Sequence, residues 1–135
     1  MKQRQAMILD GKLVKFKDFD ILESLGEGSF GKVFKCRKRD NDMVLALKVM
    51  KKQYLMKNKQ IGYAVSEADI MKSLNHPFLM KLIYSFQTPS NLYMALEYCE
   101  NGDLSHLLDE LSIVDEKVAQ FLIAELILGL RHLHQ

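Results

Sequence analysis

Residues 25–34 read LGEGSFGKVF and hold three glycines, Gly26, Gly28 and Gly31, in the spacing G-x-G-x-x-G. Glycines at this spacing are typical of a backbone that passes close to a phosphate group. The residues at 32–38, KVFKCRK, alternate apolar and charged side chains, which indicates a strand. The stretch therefore predicts a strand, a glycine loop and a second strand.

A dinucleotide-binding unit uses the same glycine spacing in a different context. There the glycine turn opens a helix, and an acidic residue about 20 positions later contacts the ribose. Here a strand pattern follows Gly31, and the segment near that offset is LALK at 45–48. The context therefore excludes a dinucleotide-binding unit of that type.

Composition and charge narrow the class of protein further. The chain has 135 residues, 48% of them hydrophobic, and a formal net charge of +2. That is the balance of one globular domain or part of one, with too little charge to indicate nucleic-acid binding. The most apolar stretch, residues 118–133, is interrupted by polar residues, which predicts a buried helix and no membrane span.

The two cysteines, Cys36 and Cys99, predict no disulfide framework. Because free thiols persist in reducing compartments, we expect an intracellular protein of the cytoplasm or nucleus. We also expect both thiols to be small buried hydrophobes, and the alternative for each is a reactive thiol.

The hydrophobic pattern predicts an α+β fold, with the sheet and the later helices segregated along the chain. Strands are expected at 19–25, 32–38, 43–50, 81–87 and 91–98, turns at 39–42 and 88–90, and helices at 60–74, 103–110 and 115–134. Pro77 ends the first helix, because a proline disfavours helix in the residue before it. Asp115 is the expected N-cap of the last helix.

The strand at 43–50 places Ala46 and Lys48 on one face, since side chains two residues apart point the same way. A small Ala46 beside Val33 leaves a flat apolar slot for a purine, and Lys48 extends an ammonium group towards phosphates. A lysine on an apolar face needs an anionic partner, and Glu67 on the next helix is suitable. The competing interpretation is a coincidental hairpin with a surface ion pair.

These segments resemble the small lobe of a eukaryotic protein kinase, and most closely that of the AGC group of serine/threonine kinases. The resemblance is carried by GEGSFGKV at 26–33, LALK at 45–48, SEADIM at 66–71, HPFL at 76–79, SFQ at 85–87 and NLYMALEY at 91–98. It implies a five-stranded antiparallel sheet plus helix C, then the hinge and the first helices of the large lobe. The implied divisions are an N-terminal extension at 1–18 and a partial kinase domain at 19–135, comprising a small lobe at 19–96, a hinge at 97–102 and large-lobe residues at 103–135.

The same resemblance implies an ATP site. The adenine and ribose would be enclosed by Leu25, Val33, Ala46, Leu96, Glu97, Cys99 and Asp103. The phosphates would be covered by Gly26, Glu27, Gly28, Ser29, Phe30, Gly31 and Lys32. Lys48 would hold the phosphates and pair with Glu67, and Leu96 would be the gatekeeper. Asp103 would contact the ribose, cap a helix, or do both.

A second site is implied by the AGC resemblance. Kinases of this group have a groove between helices B and C and the neighbouring strands that accepts an aromatic motif from a C-terminal tail. The matching positions are Lys52, Leu55, Met56, Ile61, Ser85, Gln87 and Leu92. Since the sequence ends at Gln135, we expect an aromatic tail peptide to bind in trans.

The family reaction transfers the γ-phosphate of ATP to protein serine or threonine, with Mg²⁺ held by the Asp of an Asp-Phe-Gly motif. Neither that motif nor His-Arg-Asp occurs in residues 1–135, so we expect no metal site and no catalysis by this chain alone. Two hypotheses about the function of this chain remain. One is a non-catalytic, regulatory or nucleotide-binding module that acts through a partner, and the other is an incomplete reading frame of an active kinase with protein substrates.

Between residues 118 and 133 the polar residues are too few to cover one face of the helix, so we expect it to be buried on all sides. The side chains expected to contact a large lobe are Leu122, Ile123, Leu126, Ile127 and Leu130. Each such side chain left exposed forgoes roughly 1.5–3 kcal/mol of burial free energy. We therefore expect this chain alone to aggregate, to dimerise or to bind a partner.

Overall fold

The computed structural model describes residues 13–28 and 31–134. The elements in chain order are a 3₁₀ turn (Phe16–Asp18), β1 (Phe19–Gly28), β2 (Gly31–Lys38), β3 (Val44–Lys51), α1 (Lys52–Lys57), α2 (Ile61–Ser73), β4 (Leu82–Gln87), β5 (Asn91–Glu97), α3 (Leu104–Leu111) and α4 (Glu116–Leu133). The five strands form one antiparallel sheet in the order β1-β2-β3-β5-β4. The predicted α+β fold is confirmed.

The chain divides into two compact units. The first comprises the residues up to 73 together with 81–98, and the second comprises 74–80 together with the residues from 99 onward. The sheet, α1 and α2 belong to the first unit, and α3 and α4 to the second.

One face of the sheet carries an aromatic core. The ring of Phe86 stacks between those of Phe19 and Tyr93, with centroid distances of 5.6 and 4.7 Å. The same layer contains buried side chains from β2, β3, β5 and the segment before β1, namely Cys36, Leu45, Leu47, Ala95 and Val14. Since each strand contributes alternate residues to this layer, its other residues face the opposite side of the sheet.

The opposite face carries α1 and α2. Its buried cluster consists of Met50, Leu55, Ala64, Leu82 and Met94, with Ala68, Met71, Leu92 and Leu96 packed against it. The residue pattern did not predict α1, which has six residues and Leu55 as its buried side chain. A helix this short with one buried residue gives too weak a periodic signal to be recognised in a lysine-rich run.

Strand β1 is longer than predicted and irregular. In the sequence, Glu23 interrupts the alternation of Phe19, Ile21 and Leu25. The structure explains this interruption, because the register between β1 and β2 shifts between Ile21 and Glu23. A β-bulge inserts one extra residue, so Ile21 pairs with Cys36 while Glu23 pairs with the next residue, Lys35, on the other face.

Side-chain caps begin both helices of the second unit. The carboxylate of Asp103 accepts a hydrogen bond from the backbone N–H of His106 at 2.9 Å, and that of Asp115 accepts one from Lys117 at 2.8 Å. The predicted cap at Asp115 is confirmed. Such caps stabilise a helix by about 1 kcal/mol each.

Much of the apolar surface of α4 is exposed in the described residues. Of the side chains expected to need burial, Ile123, Leu126, Ile127 and Leu130 are exposed and Leu122 is half-buried. Within the described residues, no helix combines the length and the apolar character that crossing a membrane requires.

The two cysteines differ in environment. Cys36 is fully buried, as expected, and burial raises the pKa of its thiol to about 11. Cys99 is exposed, so the prediction that it is a small buried hydrophobe is wrong. Cys99 lies in an irregular segment between β5 and α3, where no strand or helix period indicates which side chains are buried.

We predict that iodoacetamide at pH 8 alkylates Cys99 and spares Cys36. With a pKa of about 11, roughly one Cys36 thiol in a thousand is ionised at this pH, and the group is buried as well. Mass spectrometry of tryptic peptides measures both sites in one sample, and urea should make both reactive. Equal labelling in the native chain would contradict the buried position of Cys36.

We predict that Gly31→Ala destabilises the fold while Gly26→Ala does not. A Cβ atom at Gly31 would lie 1.8 Å from the carbonyl oxygen of Val49, whereas one at Gly26 meets nothing within 4 Å. Separating β2 from β3 should cost about 2 kcal/mol or more, against about 0.5 kcal/mol or less for Gly26→Ala. Urea unfolding followed by circular dichroism measures the difference, and equal midpoints would contradict the packing of β2 on β3.

Candidate functional site

The register of the sheet brings the predicted purine and phosphate residues onto one face. Val33 of β2 lies opposite Lys48 of β3, and Ala46 of β3 lies opposite Leu96 of β5. Directly paired residues share a face, and residues two apart on one strand also share it. Val33, Ala46, Lys48 and Leu96 therefore lie on the face that carries α2, with Ala46 diagonal to Val33.

Lys48 and Glu67 form the central contact of this face. The Lys48 ammonium donates to Glu67 Oε1 of α2 at 2.8 Å. The two side chains are 28% and 44% exposed, so water screens the pair. Ion pairs of this kind contribute only about 0–1 kcal/mol to stability. The contact matters less for folding than for holding the ammonium group in one direction.

The three glycines of the loop differ in their surroundings. Gly31 is needed by the fold, since β3 leaves no room for a side chain there. Gly26 and Gly28 lie in β1, opposite Val33 and Gly31, and a Cβ at either meets no atom of the described residues within 4 Å. Their surroundings leave space for a close approach from outside. Ser29 and Phe30, also predicted to cover phosphates, lie outside the described residues.

The charged residues of the glycine loop pair with each other. Glu27 and Lys32 face each other across β1 and β2, with 3.1 Å between the carboxylate and the ammonium group. Both are exposed. This pairing extends the hairpin to Gly28 and so continues the strand into what the sequence predicted as loop.

The other predicted adenine contacts occupy varied positions. Leu25 is exposed, whereas Leu96 is half-buried and packs on the α2 side of the sheet. The Glu97 carboxylate accepts a hydrogen bond from the backbone N–H of Lys81 at 3.1 Å, which anchors the end of β5. Asp103 caps α3, and Cys99 is exposed. The last two belong to the second unit, and their contacts with a nucleotide stay predictions.

The residues predicted to form the tail groove lie in the first unit. The Lys52 ammonium donates to Gln87 Oε1 at 2.7 Å, joining α1 to β4. Leu55 and Leu92 belong to the hydrophobic cluster beneath, Ser85 is half-buried, and Met56 and Ile61 are exposed. A cavity of about 440 Å³ adjoins them, lined by Lys51, Lys52, Gln53, Met56, Pro89, Ser90 and Asn91.

One cluster on the site face was missed by sequence reasoning. Lys35 of β2 lies 3.2 Å from the Glu23 carboxylate, and its ammonium group is 4.7 Å from the centroid of the Tyr98 ring. These contacts raise the pKa of Lys35, chiefly through Glu23 and then through Tyr98. The alternation of β2 places Lys35 on the same face as Val33, which is the signal that was available.

No group of three or more His, Cys, Asp or Glu side chains that could hold a metal ion occurs among residues 13–28 and 31–134. The family's metal ligands lie in sequence motifs that residues 1–135 do not contain, so we assign no residue of this chain to Mg²⁺.

Comparison with known proteins covers most of the chain. Residues 19–135 match the protein kinase domain family. The chain is 36% identical over 140 residues to a RAC family serine/threonine-protein kinase homolog of Dictyostelium discoideum, covering 99% of the chain and 32% of the relative. It is 38% identical over 117 residues to serine/threonine-protein kinase gad8 of Schizosaccharomyces pombe, covering 87% of the chain and 21% of the relative.

A third relative is ribosomal protein S6 kinase beta of Caenorhabditis elegans, 38% identical over 123 residues, with 88% of the chain and 22% of the relative covered. The chain thus spans about a fifth to a third of the length of these three relatives. Its sheet and helices are those of a kinase small lobe and the start of the large lobe. The chain belongs to the protein kinase domain family, among the AGC-type serine/threonine kinases.

Proposed function

We propose that residues 19–135 bind ATP, as part of an AGC-type serine/threonine protein kinase. The observation that carries this proposal is the contact between Lys48 and Glu67 at 2.8 Å, on the same sheet face as Val33 and Ala46. It presents a fixed cation next to an apolar surface. Purine nucleotides match that combination, because they join a flat apolar base to an anionic chain.

Lys48 would bind the α- and β-phosphates, and Glu67 would keep its ammonium group directed at them. The open surroundings of Gly26 and Gly28 support a close approach of phosphate oxygens to the backbone of β1. Leu25, Val33, Ala46 and Leu96 would contact the base. The ribose contact of Asp103 and the backbone contacts of Glu97 and Cys99 rest on the resemblance to kinases.

Catalysis is proposed for the whole protein and not for residues 1–135 alone. In the family, Mg²⁺ neutralises charge on the phosphates, and an Asp of the catalytic loop orients the hydroxyl of the protein substrate. Neither catalytic motif occurs in these 135 residues. We propose that they hold the nucleotide without transferring its γ-phosphate, inside the cell, where the two free cysteines fit a reducing compartment.

A non-catalytic module that acts through a partner is the second candidate. The exposed apolar side chains of α4, among them Phe121 and Leu126, favour it, because such a surface stabilises complexes when it is covered. The mass of the native product, measured by immunoblot against residues 1–18, separates the candidates. A band of several tens of kilodaltons supports a full kinase, and one near 15.6 kDa supports the module.

We predict that Lys48→Met weakens binding of a fluorescent ATP analogue at least tenfold. Charge-assisted hydrogen bonds contribute about 1.5–3 kcal/mol, which corresponds to roughly tenfold or more in affinity. Glu67→Gln should weaken binding less, because the ammonium group stays but loses its fixed direction. Fluorescence titration measures the dissociation constants, and γ-labelled ATP with a generic protein substrate tests for transfer.

Lys72→Met is the matched control, since Lys72 lies on α2, pairs with Asp69 at 3.5 Å and has no proposed contact with nucleotide. It should bind like the unaltered chain. Equal affinity of the Lys48→Met and Lys72→Met variants would contradict the proposed phosphate role. Transfer of labelled phosphate by the purified 135-residue chain would contradict the proposed inactivity.

The groove beside α1 is proposed to bind an aromatic tail peptide in trans. Exposed Met56 and Ile61 offer apolar contacts, and the pair of Lys52 with Gln87 offers polar ones. We predict that a phenylalanine-rich peptide shifts NMR signals of α1 and α2, and that Met56→Glu removes these shifts by placing a charge against the rings. Met43→Glu, at an exposed methionine between β2 and β3, is the control. Unchanged α2 signals at saturating peptide would exclude the groove.

A further inference from the structure

Three acid–base pairs connect β1 with β2 along the hairpin: Asp20 with Arg37, Glu23 with Lys35, and Glu27 with Lys32. The middle pair has an additional contact outside the hairpin. Its ammonium group lies over the ring of Tyr98, the residue directly after β5. Lys35 of β2 therefore contacts both β1 and the residue that follows β5.

This contact has to cross an intervening strand. In the sheet order β1-β2-β3-β5-β4, strand β3 separates β2 from β5, so the two lie about 10 Å apart. The residue of β3 that pairs with Lys35 is Ala46. Ala46 has only a methyl group, so it leaves room for the long side chain of Lys35 to reach the Tyr98 ring.

Tyr98 is also the last residue of the first compact unit, and the chain enters the second unit at Cys99. The neighbouring residue Glu97 is anchored to Lys81 through both its carboxylate and its backbone N–H. Lys35 adds an anchor on the other side, against the ring of Tyr98. Tyr98, at the end of the first unit, is thereby held against the β1–β2 hairpin.

We propose that Lys35 is a positioning residue for the nucleotide: through Glu23 and Tyr98 it sets the spacing between the glycine hairpin and the end of β5. This inference rests on the proposed binding of ATP, since those two segments are the ones assigned to the phosphates and to the adenine edge. Lys35 itself does not touch the nucleotide. Its loss lets the hairpin and Tyr98 move independently and weakens binding.

The test is a titration of the 135-residue chain with a fluorescent ATP analogue. We predict that Lys35→Met and Tyr98→Leu each weaken binding about threefold to tenfold, a modest loss because cation–π contacts and exposed ion pairs are individually weak. The affinity of the double variant should equal that of whichever single variant binds less tightly, because both changes break the same bridge. Lys35→Arg should bind like the unaltered chain, since a guanidinium stacks on an aromatic ring and pairs with a carboxylate.

Arg37→Met is the matched control. Arg37 lies on the same strand and face as Lys35 and within 4 Å of acidic groups, at 3.9 Å from Asp20 and 3.8 Å from Asp42. Its loss removes a cation and a β1–β2 contact but leaves the bridge to Tyr98, so affinity should change less than twofold. Thermal melts of all variants show whether each is folded at the titration temperature.

The outcomes separate the two proposals. Binding by the unaltered chain that Lys35→Met retains in full would overturn the positioning role and leave ATP binding standing. The positioning role would also be overturned if the fold-losses in affinity of Lys35→Met and Tyr98→Leu multiply in the double variant. Multiplied losses mean that the two residues act independently. If Lys35→Met lowers the affinity and Tyr98→Leu does not, Lys35 contacts the nucleotide directly and the positioning role is wrong. No binding by the folded, unaltered chain would overturn both proposals.

Discussion

The close approach of β2 to β3 at Gly31 is the constraint on which the rest of the structure depends. A hydrogen atom is all that fits between Gly31 and the Val49 carbonyl, so the observed register of the two strands requires glycine at this position. That register sets Val33 opposite Lys48 and Lys35 opposite Ala46. A slip by one residue would turn Lys48 and Ala46 onto the aromatic face and bury an unpaired ammonium group.

The interactions that stabilise the fold of this chain differ from those proposed to bind nucleotide. The sheet unit is held by two buried clusters, one on each face, whose large side chains contribute roughly 1.5–3 kcal/mol each. Its ion pairs, including Lys48 with Glu67, are partly exposed and contribute about 0–1 kcal/mol each. Replacing one charge should therefore leave the fold intact while changing where a cation points, which is what makes the proposed site testable by mutation.

Sequence patterns predicted most of the fold, and the failures have physical causes. Five strands and three helices followed from alternation, helical spacing and turn residues. Helix α1 was missed because only Leu55 of its six residues is buried. The bulge after Ile21 was missed because one inserted residue looks like a break in alternation. Cys99 was misjudged because an irregular segment has no period from which burial can be inferred.

The candidate site likewise has one part that could be predicted from the sequence and one part that could not. Local spacing sufficed for Lys48, and the pairing with Glu67 followed from the need of a semi-buried cation for an anion. The bridge from Lys35 to Tyr98 joins residues 63 positions apart (98 − 35) across an intervening strand, so it depends on strand order. Strand order is a property of the whole sheet, and no local pattern encodes it. Contacts between strands that are not neighbours in the sheet are therefore the hardest to predict from sequence, even where the candidate binding residues are recognisable.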